Sequence, residues 1–176
     1  MQTASVIKNV TALPTYVFAR VERRKLGEVQ ESVGDIDYVD WHGATTGRFD
    51  LAISLKGSDP KQVYSAIKQV REIDGVLSTS SLVPFEGYVR KDAADDDYLG
   101  QVFLRTEGSF EELLESLKKV STVHQVLVIP GEWDVLVSLR GNSYEDILQE
   151  SVEKISQIDG VRASETSFVY QPKAAE

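Results

Sequence analysis

Nine residues of this chain, Gly47-Arg48-Phe49-Asp50-Leu51-Ala52-Ile53-Ser54-Leu55, return in near copy as Gly131-Glu132-Trp133-Asp134-Val135-Leu136-Val137-Ser138-Leu139. A glycine, an aromatic residue and an acid precede an apolar, strand-like run in both places. Sliding the sequence on itself by about 85 positions extends the match, and a period of that length means a repeated folding unit. Tyr16-Val17-Phe18-Ala19-Arg20 falls on Gln101-Val102-Phe103-Leu104-Arg105, and Ile73-Asp74-Gly75-Val76 falls on Ile158-Asp159-Gly160-Val161. Three motifs in one order and one register predict duplication, so whatever fold one copy adopts the other adopts too.

The copies divide the chain. Residues 14–88 form one expected domain and 98–172 the other, with an arm at 1–13 and a tail at 173–176. Between them, 89–97 contains Arg90-Lys91-Asp92-Ala93-Ala94-Asp95-Asp96-Asp97, which has no apolar periodicity and reads as a solvated linker. At 176 residues the chain has length enough for two small domains.

Each copy spells strand, helix, strand, strand, helix, strand. In the second, Leu99 to Arg105 is a strand, and Ser109 with Glu112 three residues on is a capping box. Phe110, Leu113, Leu114 and Leu117 then recur at helical spacing. Val123 to Ile129 and Trp133 to Leu139 make a hairpin around Pro130-Gly131. Ser143 caps a second helix with Ile147, Leu148, Val152 and Ile155 expected on its buried stripe, and Val161 to Tyr170 closes the unit. In the first copy Ser58-Asp59-Pro60 starts the equivalent helix, with Val63, Ile67 and Val70 facing inward.

A βαββαβ order gives an α+β, ferredoxin-like unit: a four-stranded antiparallel sheet with both helices on one face. The third strands alternate Val135, Val137, Leu139 against Leu136, Ser138, and Leu51, Ile53, Leu55 against Ala52, Ser54, so neither side is polar enough to face water. The expectation is two ferredoxin-like domains packed sheet to sheet as a pseudo-dimer, of the dimeric α/β-barrel type.

The combined pattern resembles the effector-binding domain of the Lrp/AsnC family, the RAM domain. The residues that carry the resemblance are Gly131-Glu132-Trp133-Asp134, Ile158-Asp159-Gly160-Val161 and Ser164-Glu165-Thr166, with Gly47-Arg48-Phe49-Asp50, Ile73-Asp74-Gly75-Val76 and Ser78-Thr79-Ser80 in the first copy. The resemblance implies a small-molecule effector, an amino acid by family habit, bound where domains meet, and assembly into homo-oligomers. It also implies a helix-turn-helix for DNA, which residues 1–13 cannot hold. A stand-alone sensor acting through a partner is therefore expected.

The composition agrees with that departure. Twenty-eight acids against nineteen bases leave a net charge of −9, which repels the phosphate backbone, so no direct nucleic-acid partner is expected. The N-terminus lacks the apolar core of a signal peptide and no stretch approaches the roughly 20 apolar residues of a membrane span. The chain is expected to be cytoplasmic, with no membrane partner. There is no cysteine, hence no thiolate chemistry.

For the glycine-aromatic-acid corner two roles are compatible. Glycine permits a left-handed turn and the acid accepts backbone N–H groups at the strand start. Equally, Asp50 or Asp134 could pair an α-amino group while Phe49 or Trp133 walls a pocket beside Gly47 or Gly131. Thr45 and Thr46 could bind a carboxylate in the first copy, where the second has Ile129-Pro130, and Thr79 and Thr166 could line the same pockets from the last strands. His42 and His124 are not equivalent and have no third ligand at metal spacing, so neither a metal, a cofactor nor a catalytic residue is assigned. The alternative from another class is a small dimeric α/β-barrel enzyme of oxygenase or decarboxylase type, which a cavity lined by His42, Trp41 or a tyrosine would favour.

Overall fold

The computed structural model describes residues 13–56, 59–91 and 98–170. Ser58, most of the expected linker and the expected tail lie outside them, as does the arm up to residue 12. Two compact units form, one of residues 13–83 and 169–170 and the other of 84–168.

In the N-terminal unit the order is β1 (Thr15–Val21), α1 (Leu26–Gly34), β2 (Val39–Thr45), β3 (Leu51–Leu55), α2 (Pro60–Glu72) and β4 (Val76–Leu82). The strands lie in the order β4-β1-β3-β2, all antiparallel, as a ferredoxin-like unit requires. Val17, Ala19, Val21, Leu51, Ile53 and Leu55 face the helices and meet Val29 and Val33 of α1 and Ala66, Ile67 and Val70 of α2. Asp59 caps α2 by accepting from the backbone N–H of Lys61 at 2.9 Å, with Pro60 in the first turn where its missing N–H costs nothing.

The C-terminal unit repeats the order with β6 (Tyr98–Thr106), α3 (Phe110–Lys118), β7 (Val123–Val128), β8 (Val135–Gly141), α4 (Tyr144–Gln149) and β9 (Val161–Tyr170). Ser109 and Ser143 cap their helices by accepting from Glu112 N and Asp146 N. Val102, Leu104, Val126, Val135, Val137 and Leu139 face Leu113, Leu114 and Leu117 of α3 and Ile147 of α4. Each such side chain taken from water contributes about 1.5–3 kcal/mol, which ties both helices to the sheet. The α+β class and the two ferredoxin-like units are as the sequence predicts.

Two details differ from expectation. The helix beginning with α4 is not a regular amphipathic helix: a π turn occupies Glu150–Lys154 and a 3₁₀ turn Ile155–Gln157. Its buried row is Ile147, Ser151 and Ile155, while Leu148 and Val152 are 46% and 54% exposed and stand off the core they were expected to join. An additional strand, β5 (Glu86–Val89), pairs antiparallel with β7 through Glu86–Val128 to Val89–Gln125. Tyr88 is thereby buried in the C-terminal core.

The isoleucine-aspartate-glycine motifs end the second helix of each unit. Gly75 and Gly160 take φ of +99° and +92°, a left-handed conformation that other residues adopt at a cost. Both also sit where a side chain has no room: a Cβ would lie 2.9 Å from Lys25 Cδ at Gly75 and 2.8 Å from the Glu107 carbonyl at Gly160. Their carbonyls accept from Glu22 N and Glu107 N at 2.7 and 2.8 Å, tying each helix end to the turn after the first strand.

Candidate functional site

The two glycine-aromatic-acid motifs form corresponding corners. In the first, the backbone N–H of Asp50 donates to Ala19 O at 2.9 Å, and Asp50 Oδ2 accepts from Val21 N at 2.8 Å. In the second, Asp134 N donates to Leu104 O at 2.9 Å and Asp134 Oδ2 accepts from Thr106 N at 2.7 Å. An aspartate is short enough to turn back on the neighbouring strand and engage its N–H, so each acid locks the start of one strand to the end of another. Asp50 is exposed and Asp134 half-buried.

The aromatic residues lie on the sheet face away from the helices. Phe49 packs on Phe18 with ring centroids 5.3 Å apart, and Trp133 on Phe103 at 6.0 Å. Beside Trp133 a third group joins: the Arg105 guanidinium stands 5.2 Å from the indole centroid, within cation–π range, and its Nε donates to Glu132 O at 3.0 Å. The second corner thus places an aromatic wall, a carboxylate and a guanidinium side by side. Arg105 ends the repeat marker Gln101-Val102-Phe103-Leu104-Arg105, a pattern that marks a strand and by itself says nothing of the corner that this strand reaches in space.

The remaining expected residues divide. Thr45 Oγ1 donates to Phe49 O at 2.8 Å, so its hydrogen is spent within the first corner. Gly47 has a φ of +90°, the left-handed turn expected of it, whereas Gly131 is not among the left-handed glycines and a Cβ there would meet only Ile129 O at 3.8 Å. Thr46 and Gly47 are exposed in the connection between β2 and β3. Thr79 accepts from Arg71 Nε of α2 at 3.0 Å and pairs with Ala19, placing it on the helix side of the sheet, opposite Phe49. Thr166 shares a face with Phe168, which packs against the C-terminal core, so it too lies on the side away from its corner's aromatic wall. The structure therefore gathers Thr45, Thr46, Gly47, Phe49 and Asp50 in one corner and Gly131, Trp133 and Asp134 in the other, and leaves the two last-strand threonines outside both.

Trp41 packs edge-on against Tyr16 at 5.8 Å. His42 lies on the other side of β2, its Nε2 3.6 Å from where a Cβ on Gly34 of α1 would stand, and burial pushes its pKa below the ordinary 6.5. An open groove of about 310 Å³ is lined by Arg71, Val76, Leu77, Ser78 and Thr79, and another of about 480 Å³ by Glu145, Leu148, Gln149, Val152 and Glu153. Neither includes a corner residue. Among the described residues no group of three or more His, Cys, Asp or Glu could hold a metal ion, and no helix is long and apolar enough to cross a membrane.

Comparison with known proteins places these features among relatives. The chain is 34% identical over 61 residues to an HTH-type transcriptional regulator of Pyrococcus furiosus, covering 34% of this chain and 41% of the relative. It is 24% identical over 106 residues to the HTH-type transcriptional regulator YugG of Bacillus subtilis, covering 60% of this chain and 55% of YugG. The matches thus span about half the length of these curated relatives, or less. Among solved structures, the siroheme decarboxylase NirDL superposes with a TM-score of 0.69 at 13% identity, over 95% of this chain and 74% of NirDL. A mutant chlorite dismutase from Candidatus Nitrospira defluvii superposes with a TM-score of 0.58 at 10% identity, over 90% of this chain and 91% of that one. At such identities the likeness is one of fold. Residues 100–174, which contain the second corner, match the family model of the Lrp/AsnC ligand binding domain.

Proposed function

We propose that the chain is a small-molecule sensing and oligomerisation module made of two Lrp/AsnC-type ligand-binding domains in tandem, at residues 14–88 and 98–172, acting on transcription or metabolism through a partner in the cytoplasm. The observation that carries this reading is the match of residues 100–174 to a ligand binding domain. The HTH-type regulators among its relatives point the same way. The fold shared with a decarboxylase and a dismutase assigns no reaction, because fold and chemistry part company at low identity.

The ligand class follows from the second corner. A free amino acid presents an ammonium, a carboxylate and a side chain. Asp134 offers a carboxylate oxygen to the ammonium, the Arg105 guanidinium offers donors to the carboxylate, and Trp133 walls the side chain beside Gly131. The first corner, with Phe49, Asp50, Gly47, Thr45 and Thr46, offers a phenyl ring where the second offers the larger indole, and binds more weakly. Ligand action is a shift between association states, which requires tighter binding to one of them.

The test is a thermal-shift screen with the L-amino acids, followed by light scattering with any hit. A ligand at 100 times its Kd adds about 2.7 kcal/mol of stability, readily measured. Asp134→Asn keeps the backbone hydrogen bond but removes the charge, so it should abolish the response without unfolding the protein. If no amino acid moves the melting temperature or the molecular size, this reading fails.

A further inference from the structure

The sheet of the N-terminal unit ends in β4, which among the described residues pairs with β1 alone. Every second residue of such a strand turns its N–H and C=O away from its neighbour, and that row is a template for another extended chain. Folded proteins commonly blunt it with charges, proline or bulges. Val76–Leu82 has no charge and no proline, and its register shift falls at Leu77, so residues 78–82 run in unbroken register with β1. Leu77 itself is 66% exposed.

The C-terminal unit treats the equivalent strand differently. Ile73-Asp74-Gly75-Val76 aligns with Ile158-Asp159-Gly160-Val161, so Arg162 of β9 stands where β4 has Leu77, and Ser156 where α2 has Arg71. Arg162 pairs with Glu107, which puts charge at the start of that strand. The N-terminal unit has an apolar residue there and carries its cation on the neighbouring helix.

That cation completes a groove. Arg71, near the end of α2, lines an open space of about 310 Å³ together with Val76, Leu77, Ser78 and Thr79 of β4. Its Nε donates to Thr79 Oγ1 at 3.0 Å, which holds the guanidinium over the strand. The acids next to it in sequence are engaged elsewhere, Glu72 with Lys68 and Asp74 with Lys25. Arg71 has no counter-ion among the described residues.

We propose that β4 is a docking edge for an extended segment of a partner protein, which adds as a further strand beside residues 78–82 and sets one aspartate or glutamate against Arg71. In strand addition the main chain supplies affinity and alternate side chains supply selectivity. A guanidinium takes a carboxylate through two parallel hydrogen bonds, and with Nε engaged the two terminal nitrogens serve. A net charge of −9 repels a strongly acidic segment, so the fit is a single acid among neutral, β-branched residues. A second copy of β4 fits less well, because Val76–Leu82 has no acid to offer Arg71. The edge is separate from the glycine-aromatic-acid corners and does not rest on the amino-acid reading.

The test uses the full chain and a library of random eight-residue peptides with acetylated and amidated ends. Binders should share one aspartate or glutamate in an otherwise neutral stretch. For the tightest of them, replacing that acid by its amide should weaken binding at least tenfold, and so should Arg71→Gln, with Arg71→Lys falling between. Methylating every second backbone nitrogen of the peptide should abolish binding while methylating the others leaves it, the signature of an added strand. Leu77→Asp should weaken binding too, and it serves alone if Arg71→Gln does not fold. Asp134→Asn should leave the peptide affinity in place, which separates this edge from the corner. The inference is overturned if no peptide binds saturably, if Arg71→Gln keeps the wild-type affinity, or if methylation shows no alternation. Light scattering that finds copies of the chain joined, and parted by Leu77→Asp, would overturn it in favour of a second copy.

Discussion

Asp50 and Asp134 make the same bond in different surroundings, and the N–H that each one holds sets what it is worth. Asp134 is half-buried against Thr106 N, so Asp134→Ala strands an N–H that water reaches poorly, at a cost of about 1–3 kcal/mol. Asp50 is exposed, but Val21, whose N–H it holds, is buried, so Asp50→Ala strands that N–H as well and should cost about as much. Urea denaturation of the two alanine variants checks this; a loss at Asp50 well below that at Asp134 would mean that the exposure of the acid, not that of the N–H, sets the cost. His42 supplies a pH test at the same scale. Burial holds its pKa below 6.5 in the folded state, so the unfolded chain takes up the proton first as pH falls. Stability from the neutral imidazole is thus present above 6.5 and is lost as the pH drops from there towards the depressed folded value. Melting temperatures of the wild type and His42→Leu measured between about pH 7 and pH 5 should show the steeper decline in the wild type, and parallel curves would remove His42 from the account.

Among the elements, the helix that starts at α4 separates periodicity from packing. Ile147, Leu148, Val152 and Ile155 satisfy helical spacing on paper, but Ile147, Ser151 and Ile155, four residues apart, form the buried row, and Leu148 and Val152 lie round the helix from it. Ile147→Ala should therefore cost about 2–4 kcal/mol, whereas Leu148→Ser should fall within about 0.5 kcal/mol, both read from denaturant midpoints. The strands of both units were legible because alternation, capping residues such as Asp59, Ser109 and Ser143, and the glycine after each second helix all point to one order. The corners were legible as turns for the same reason. What escaped was non-local: β5 is four residues that become a strand only because β7 offers an edge, and Arg105 becomes part of a corner only when β6 and Trp133 meet in space. The last-strand threonines show the converse error. Thr79 and Thr166 lie in motifs that match in sequence, yet the two-residue period of a strand turns them to the face opposite Phe49 and Trp133.

For the whole molecule, charge decides which partners are open to it. Regulators similar to this chain carry a helix-turn-helix in name, whereas residues 100–174 match the model of a ligand binding domain. A net charge of −9 has no surplus of cations with which to release counterions from DNA. Non-specific binders typically show Kd of about 10⁻⁴ to 10⁻⁶ M from that release alone. The purified chain should therefore leave the fluorescence anisotropy of a labelled duplex unchanged at about 10 µM protein and low salt, where attraction would be strongest. Adding salt should change nothing, because screening can only weaken a contact that charge had made. An anisotropy that rises with protein and falls with salt would place a basic surface on this chain after all, and the partner assigned to carry any effect on DNA would then be unnecessary.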